Sequence, residues 1–325
     1  MIQQPPMGMT APEPCHAHHP GSDGGVYDAR WTELLVFLLQ RLPTSLCVFL
    51  TGPLAFVVYL FSKSQGRAVR ANLRVLLPER GELRCWWGGY QVFRQFALTY
   101  LDRLLFRYCG RPVEWDVRGM EYFEQMKNEP GGALVFTVHS GNYDVGSSLM
   151  AERLGRPLHT VRVPERSRSM GHLRTAEFDA DSRQQPFLRV HYNTPDSHLG
   201  IDLCRLLLAG EIVAVQGDRV VMDVAPLAVV HGDVSYTIPL GPFMLAATAR
   251  VPCYPMLSVR SGVCQYRIEL SKPFGGGRDR LTRSELAGLW VPIMADFLHR
   301  HWDQWFVFEP ILRREPAAAK RQPGC

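Results

Sequence analysis

From about residue 112 onward, short runs rich in aliphatic and β-branched residues alternate with stretches of helical period, and this alternation constrains the fold most tightly. Strands are expected over residues 133–138, 159–163, 187–190, 211–216, 227–231, 253–260 and 265–270. Helices are expected over 144–154, 166–182, 196–209, 241–250 and 282–300. The pattern predicts an α/β domain whose central mixed sheet is flanked by helices. Ahead of it, residues 86–109 carry Trp86, Trp87, Tyr90, Phe93, Phe96 and Tyr100 at spacings of three and four, which predicts a helix packing one aromatic face against the core.

The first 30 residues are rich in Pro, Gly and His, lack periodicity and read as a disordered tail. Cys15, His16, His18 and His19 cluster there without the carboxylate support of a built metal site, so no metal is expected. Residues 31–61 then turn strongly apolar, and Thr44–Phe61 holds no charged residue. Eighteen residues lie near the lower limit for a membrane span. Pro43 and Pro53 interrupt the run, which therefore fits two short helices in the bilayer as well as one crossing; a buried hairpin is the bland alternative. Lys63, Arg67, Arg70, Arg74 and Arg80 follow, a basic flank expected to face the cytoplasm. Residues 62–313 form the expected catalytic domain, and 314–325 a second disordered tail.

Composition narrows the classes further. Charged residues make up 21% and apolar residues 46%, which excludes wholesale disorder. A net charge of +5 is too small to imply nucleic acid but suits anionic membranes or phosphate-bearing ligands. The eight cysteines form no C-x-x-C pair, so a disulfide framework or zinc ribbon is not expected. Gly275, Gly276 and Gly277 lack the Lys-Ser/Thr of a phosphate-binding loop and read as a turn.

The most informative segment runs from Ala133 to Asp144. An apolar strand ends directly at His139, Ser140-Gly141-Asn142 make a turn, and helical pattern resumes near Asp144. A histidine at the carboxyl end of a strand stands where ligands bind in α/β sheets. Asp144, five residues on, is the expected partner of the imidazole: accepting from Nδ1–H, it would fix the tautomer and leave Nε2 to deprotonate a hydroxyl. Its bland role is a helix cap. A second strand, 211–216, delivers Asp218 and Arg219 at its end, the arginine to hold a phosphate or carboxylate and the aspartate to orient it or an acceptor hydroxyl. A surface ion pair is the alternative there. Arg162, at the end of a third strand, is expected to face the same sheet edge. Ser140 beside His139 raises a hydrolase reading, but no G-x-S-x-G elbow is present. A non-catalytic membrane lipid-binding protein is the other rival.

His139, Gly141, Asn142, Tyr143 and Asp144 match H-x-G-N-(W/Y)-(D/E), the form of H-x-x-x-x-(D/E) found in the bacterial lipid A lauroyl/myristoyl acyltransferases. The chain resembles that family, within the lysophospholipid acyltransferase-like superfamily, over about residues 33–310. Further blocks agree in order. Gly66-Arg67 through Asn72-Leu73 resembles G-R-x-x-x-x-N-L, and Val161-Arg162-Val163-Pro164 and Asp218-Arg219 resemble two strand ends. Ile238 to Pro242 with Leu245-Ala246, and Val251 to Arg260, resemble a helix start and a strand. His301-Trp302 to Gln304-Trp305 matches the terminal P-x-Q-W only in part, since the proline is absent.

The resemblance implies a glycerolipid acyltransferase-like fold with an N-terminal hydrophobic helical membrane anchor. It implies attack by an acceptor hydroxyl on acyl-ACP or acyl-CoA, with His139 and Asp144 catalytic, no metal and no cofactor. Asn142, Arg162, Asp218 and Arg219 are the expected substrate-binding residues. The F-P-E-G-T block of glycerol-phosphate acyltransferases is missing, which turns the expected acceptor toward a glycolipid or related lipid. Membrane lipids and acyl carrier protein or a CoA thioester are the expected partners, at the bacterial inner membrane with the catalytic domain facing the cytoplasm. The oligomeric state stays open.

Overall fold

The computed structural model describes residues 29–163, 186–194, 198–221, 224–277 and 280–315, without the side chains of residues 29–31 and Asp144. The expected helix 166–182, the Cys15/His16/His18/His19 cluster and most of both tails lie outside the described residues.

Two apolar helices, α1 (Ala29–Leu39) and α2 (Thr44–Phe61), precede α3 (Lys63–Leu76) and the long α4 (Glu82–Cys109). The break at Pro43 is real, whereas α2 continues through Pro53. The carbonyl that Pro53 leaves without its helical donor lies four residues back at Phe49, on the exposed side. Gly110, in the left-handed region at φ 64°, ends α4.

The α/β expectation holds. A seven-stranded sheet is built from β1 (Glu114–Arg118), β2 (Ala133–Thr137), β3 (Leu158–Arg162), β4 (Leu188–Tyr192), β5 (Ile212–Gln216), β8 (Cys253–Gly262) and β9 (Gln265–Leu270), ordered β1-β9-β8-β2-β5-β3-β4. Only β8 and β9 pair antiparallel; every other pair in this sheet is parallel. A second, antiparallel sheet joins β6 (Pro226–His231), β7 (Val234–Pro239) and β10 (Leu312–Arg314). Strand β10 reaches into the stretch expected to be a tail, because Arg314 pairs with Val234. The strands β1 and β7 escaped the sequence pattern: β1 is a polar edge strand exposed on alternate residues, and β7 mixes Ser, Tyr and Thr among its apolar positions.

The central strands are apolar because both faces are covered. Leu134, Phe136 and Val138 enter one core with Trp290 and Phe243, while Ala133 and Val135 enter another with Met150 and Leu154. The first core is packed by α8 (Gly241–Ala249) and α9 (Arg283–Arg300), the second by α5 (Met120–Asn128) and α6 (Tyr143–Leu154). Helix α7 (Leu199–Leu208) leads into β5, and Thr282 with Glu285 forms a capping box that starts α9.

Candidate active site

The register of β2 against β5 builds the site. Ala133 pairs with Ile212 and Thr137 with Gln216, a constant offset of 79 residues. Two residues past each strand end, the same offset sets His139 opposite Asp218. The imidazole Nδ1 lies 2.7 Å from Asp218 Oδ1, and the His139 backbone N–H donates to Asp218 Oδ2 at 2.8 Å. Trp305 Nε1–H donates to the same Oδ2 at 2.9 Å. Both carboxylate oxygens are therefore engaged, and the aspartate is fully buried.

Burial alone would push the Asp218 carboxyl upward. The facing His139 ring and the N–H donors of His139 and Trp305 outweigh it and hold the group below the ordinary carboxylate range. An ionised Asp218 accepts, so Nδ1 carries the proton and Nε2 presents its lone pair. Nε2 makes no hydrogen bond among the described residues, and the imidazole is one-tenth exposed.

The chain around His139 is fastened in turn. Phe306 N–H donates to the His139 carbonyl at 2.8 Å, and Ser140 bridges Trp305. Ser140 Oγ–H donates to the Ser258 carbonyl at 2.7 Å and is wholly buried, which removes it as a nucleophile and with it the ground for the hydrolase reading. Gly141 adopts φ 57°, and a Cβ there would collide with Ser258, so both the turn and the close approach of β8 require glycine. Asn142 caps α6, its side-chain oxygen accepting from Val145 N–H at 3.4 Å.

The sequence-expected residues are thus redistributed. The Nδ1 position expected for Asp144 is held by Asp218. Asp144 sits in the first turn of α6, and its side chain lies outside the described residues. Asp218, expected to meet substrate, is instead turned wholly onto His139 and Trp305. Arg219 ion-pairs with Glu309 at 3.5 Å and remains about a quarter exposed. Arg162 closes β3, the strand beyond β5, so all three strand ends share one edge of the sheet. The sequence reading missed Trp305 and Phe306 as parts of the site. Their one signal was the partial match at Gln304-Trp305 in a terminal block.

A buried His–Asp pair on one edge of a mostly parallel sheet, with one imidazole nitrogen free of hydrogen bonds among the described residues, has the chemistry to move a proton at a bound group. Residues 27–314 match the family described as bacterial lipid A biosynthesis acyltransferase, and the chain belongs to that family. The family is one of acyltransferases, so membership supports acyl transfer as the chemistry. Comparison with curated proteins gives no match.

Proposed function

We propose that the chain moves a fatty acyl group from an acyl-ACP or acyl-CoA thioester to a hydroxyl of a glycolipid or related lipid at the cytoplasmic face of the inner membrane. The observation that carries this reading is the imidazole of His139, fixed through Nδ1 on Asp218 with Nε2 left open. Nε2 takes the acceptor hydroxyl proton as the oxygen attacks the thioester carbonyl. The tetrahedral intermediate collapses, the carbon–sulfur bond breaks, and the leaving thiolate receives the proton from the imidazolium. Asp218 stays ionised and steadies that imidazolium. The first-turn amides of α6 ahead of the capped Val145 N–H, which by helix geometry lack intrahelical acceptors, offer donors to the oxyanion.

Asp144, the acid of the H-x-x-x-x-D block, is assigned to the same reaction from its place in the first turn of α6. Arg162, Arg219 and Asn142 bind the substrates, the arginines through phosphate or carboxylate groups at the shared strand-end edge. The donor is itself the acyl carrier substrate, and no metal or further cofactor enters the scheme. Membrane association is supported by α2, the one described helix long and apolar enough to cross a bilayer, and by the basic residues that follow it.

The test incubates the purified protein with labelled acyl-ACP and acyl-CoA and a fractionated lipid extract. Label should appear in a lipid ester, with one equivalent of free thiol released. Release of free fatty acid alone would make the protein a hydrolase, and thioester left untouched would favour a lipid-binding protein.

A further inference from the structure

We infer that α2 does not cross the membrane but lies in the plane of one leaflet, with α1 beside it, as a monotopic anchor. The inference rests on the proposed membrane association and adds its geometry. Helix α2 runs antiparallel along α4 and is fastened at one end to α4 and at the other to the residue that follows the α4 C-cap. Near its start, Thr44 Oγ1 accepts from Arg111 Nη1 at 3.1 Å; near its end, Tyr59 Oη–H donates to the Trp86 carbonyl at 2.9 Å. The crossing between is close-packed: a Cβ on Gly89 would come within 2.6 Å of Tyr59 Oη, and Tyr59 is 3% exposed. Helix α1 is tied to α4 as well, through Thr32 Oγ1 and Tyr100 Oη at 3.0 Å.

Helix α4 in turn cannot leave the catalytic domain. Its Asp102 is fully buried and receives Arg260 Nε at 2.7 Å and Tyr266 Oη at 2.8 Å, from β8 and β9. Its Phe93 and Phe96 pack edge-on against Phe308, in the strap that also holds His139. Were α2 to cross, the α4 segment from Trp86 to Cys109 would cross beside it, taking Arg94, Asp102, Arg103 and Arg107 into hydrocarbon together with the sheet behind them. Were α2 instead to detach, it would break both end contacts and uncover the packed seam.

The outer side of α2 asks for lipid. Phe49, Leu50, Leu54, Val57, Leu60 and Phe61 recur at helical spacing on one exposed face, Phe49 at 72% and Phe61 at 81% exposure. Phe37 and Leu38 on α1, and Trp87 on α4, extend the patch. No acidic residue stands between Leu34 and Phe61, and exposed Arg41, Lys63 and Arg67 lie at the two ends of α2. A cationic rim around an uncharged apolar face fits one leaflet of an anionic phospholipid bilayer. The helix is apolar all round because α4 covers one side and acyl chains the other.

Topology decides it. An 18-residue helix is about 27 Å long, close to the hydrocarbon thickness, so a span puts its ends on opposite faces. Ser45→Cys and Ser64→Cys are introduced singly, at exposed positions flanking the apolar face, into the full-length chain expressed in a Gram-negative host. A membrane-impermeant maleimide is applied to spheroplasts and to inverted inner-membrane vesicles, and labelling is read over that of the parent chain. Both ends should label to the same extent in inverted vesicles and stay at background in spheroplasts. One end labelled in each preparation means a span and overturns the inference while leaving membrane association intact. Both ends labelled only in spheroplasts upholds the in-plane anchor and reverses the proposed cytoplasmic orientation. Absence of the chain from the membrane fraction overturns the anchor and the membrane reading together.

Discussion

Two histidines are buried in the same sheet to nearly the same degree, His139 at 8% and His159 at 6% exposure, yet their surroundings prepare them for opposite behaviour. His139 stands beyond the end of β2 with Nδ1 on a carboxylate, whereas His159 sits inside β3 with Nδ1 2.8 Å from His191 Nε2. A carboxylate on Nδ1 fixes which nitrogen of His139 carries the proton and leaves the other for an incoming hydroxyl, whereas burial inside a strand beside a second imidazole disfavours the charged form of His159. At nearly equal exposure, position and partner separate a base from a packing residue. His159 Nε2 reaches no hydrogen-bond partner among the described residues, Glu211 lying 3.8 Å away.

The largest effect should come from deleting the base. His139→Ala is expected to lower kcat for acyl transfer by about 10²–10⁴-fold, the contribution of a positioned general base. Association with membranes should stay unchanged, since no hydrogen bond, ion pair or ring contact joins α2 to His139 among the described residues. Wild-type turnover in this variant would end the proposed mechanism. Asp218→Asn tests the partner more sharply, because it keeps shape and removes charge. The amide would donate to Nδ1, drive the proton onto Nε2 and abolish the lone pair; a loss of about 10²–10³-fold is expected with the fold intact by circular dichroism. Activity within a few-fold of wild type would show that Asp218 only fastens the loop.

Trp305→Phe should act more mildly. The ring remains in the core, and only the N–H to Asp218 Oδ2 is lost. A hydrogen bond to a charged group contributes about 1.5–3 kcal/mol, so kcat should fall by about 10- to 150-fold at most, with KM unchanged. A change in KM alone would move Trp305 from holding the carboxylate to shaping the substrate groove.

What the sequence made legible follows the same division. His139 could be read because an apolar run announces its strand and the polar residue at the end stands out. Asp218 was visible for the same reason, since Ile212 to Asp218 repeats the layout of Ala133 to His139. Their partnership was hidden, because pairing of parallel strands 79 residues apart is decided by packing that one sequence does not display. Proximity in sequence favoured Asp144 instead. Trp305 lies 87 residues beyond Asp218 in a segment without regular period, and only the folded strap brings it in. Asn72 shows the same gap: its block was recognised, but its task was not. Its side chain accepts from Ile311 and Leu312 N–H at 3.0 and 3.2 Å and donates to the Glu309 carbonyl at 2.8 Å, anchoring the chain just past the strap.

The smallest expected effect concerns the other histidine and appears in stability rather than turnover. Burial, aided by the neighbouring His191 and Arg189 charges, pushes His159 from 6.5 down to about 4. Burial lowers His191 too. The sign follows from which state takes up the proton first. As pH falls below about 6.5 the unfolded chain binds a proton at His159 while the native chain does not, so the native state loses stability until about pH 4, where both forms are protonated. His159→Gln keeps a polar side chain between β3 and β4 but removes the titration. Its urea midpoint should therefore fall less steeply than that of the wild type between those two pH values, whatever its absolute level. The acyl-transfer rate near neutral pH should remain close to that of the wild type. Parallel midpoint curves would mean that His159 is protonated in the native sheet, and the contrast between the two histidines would then lose its electrostatic basis.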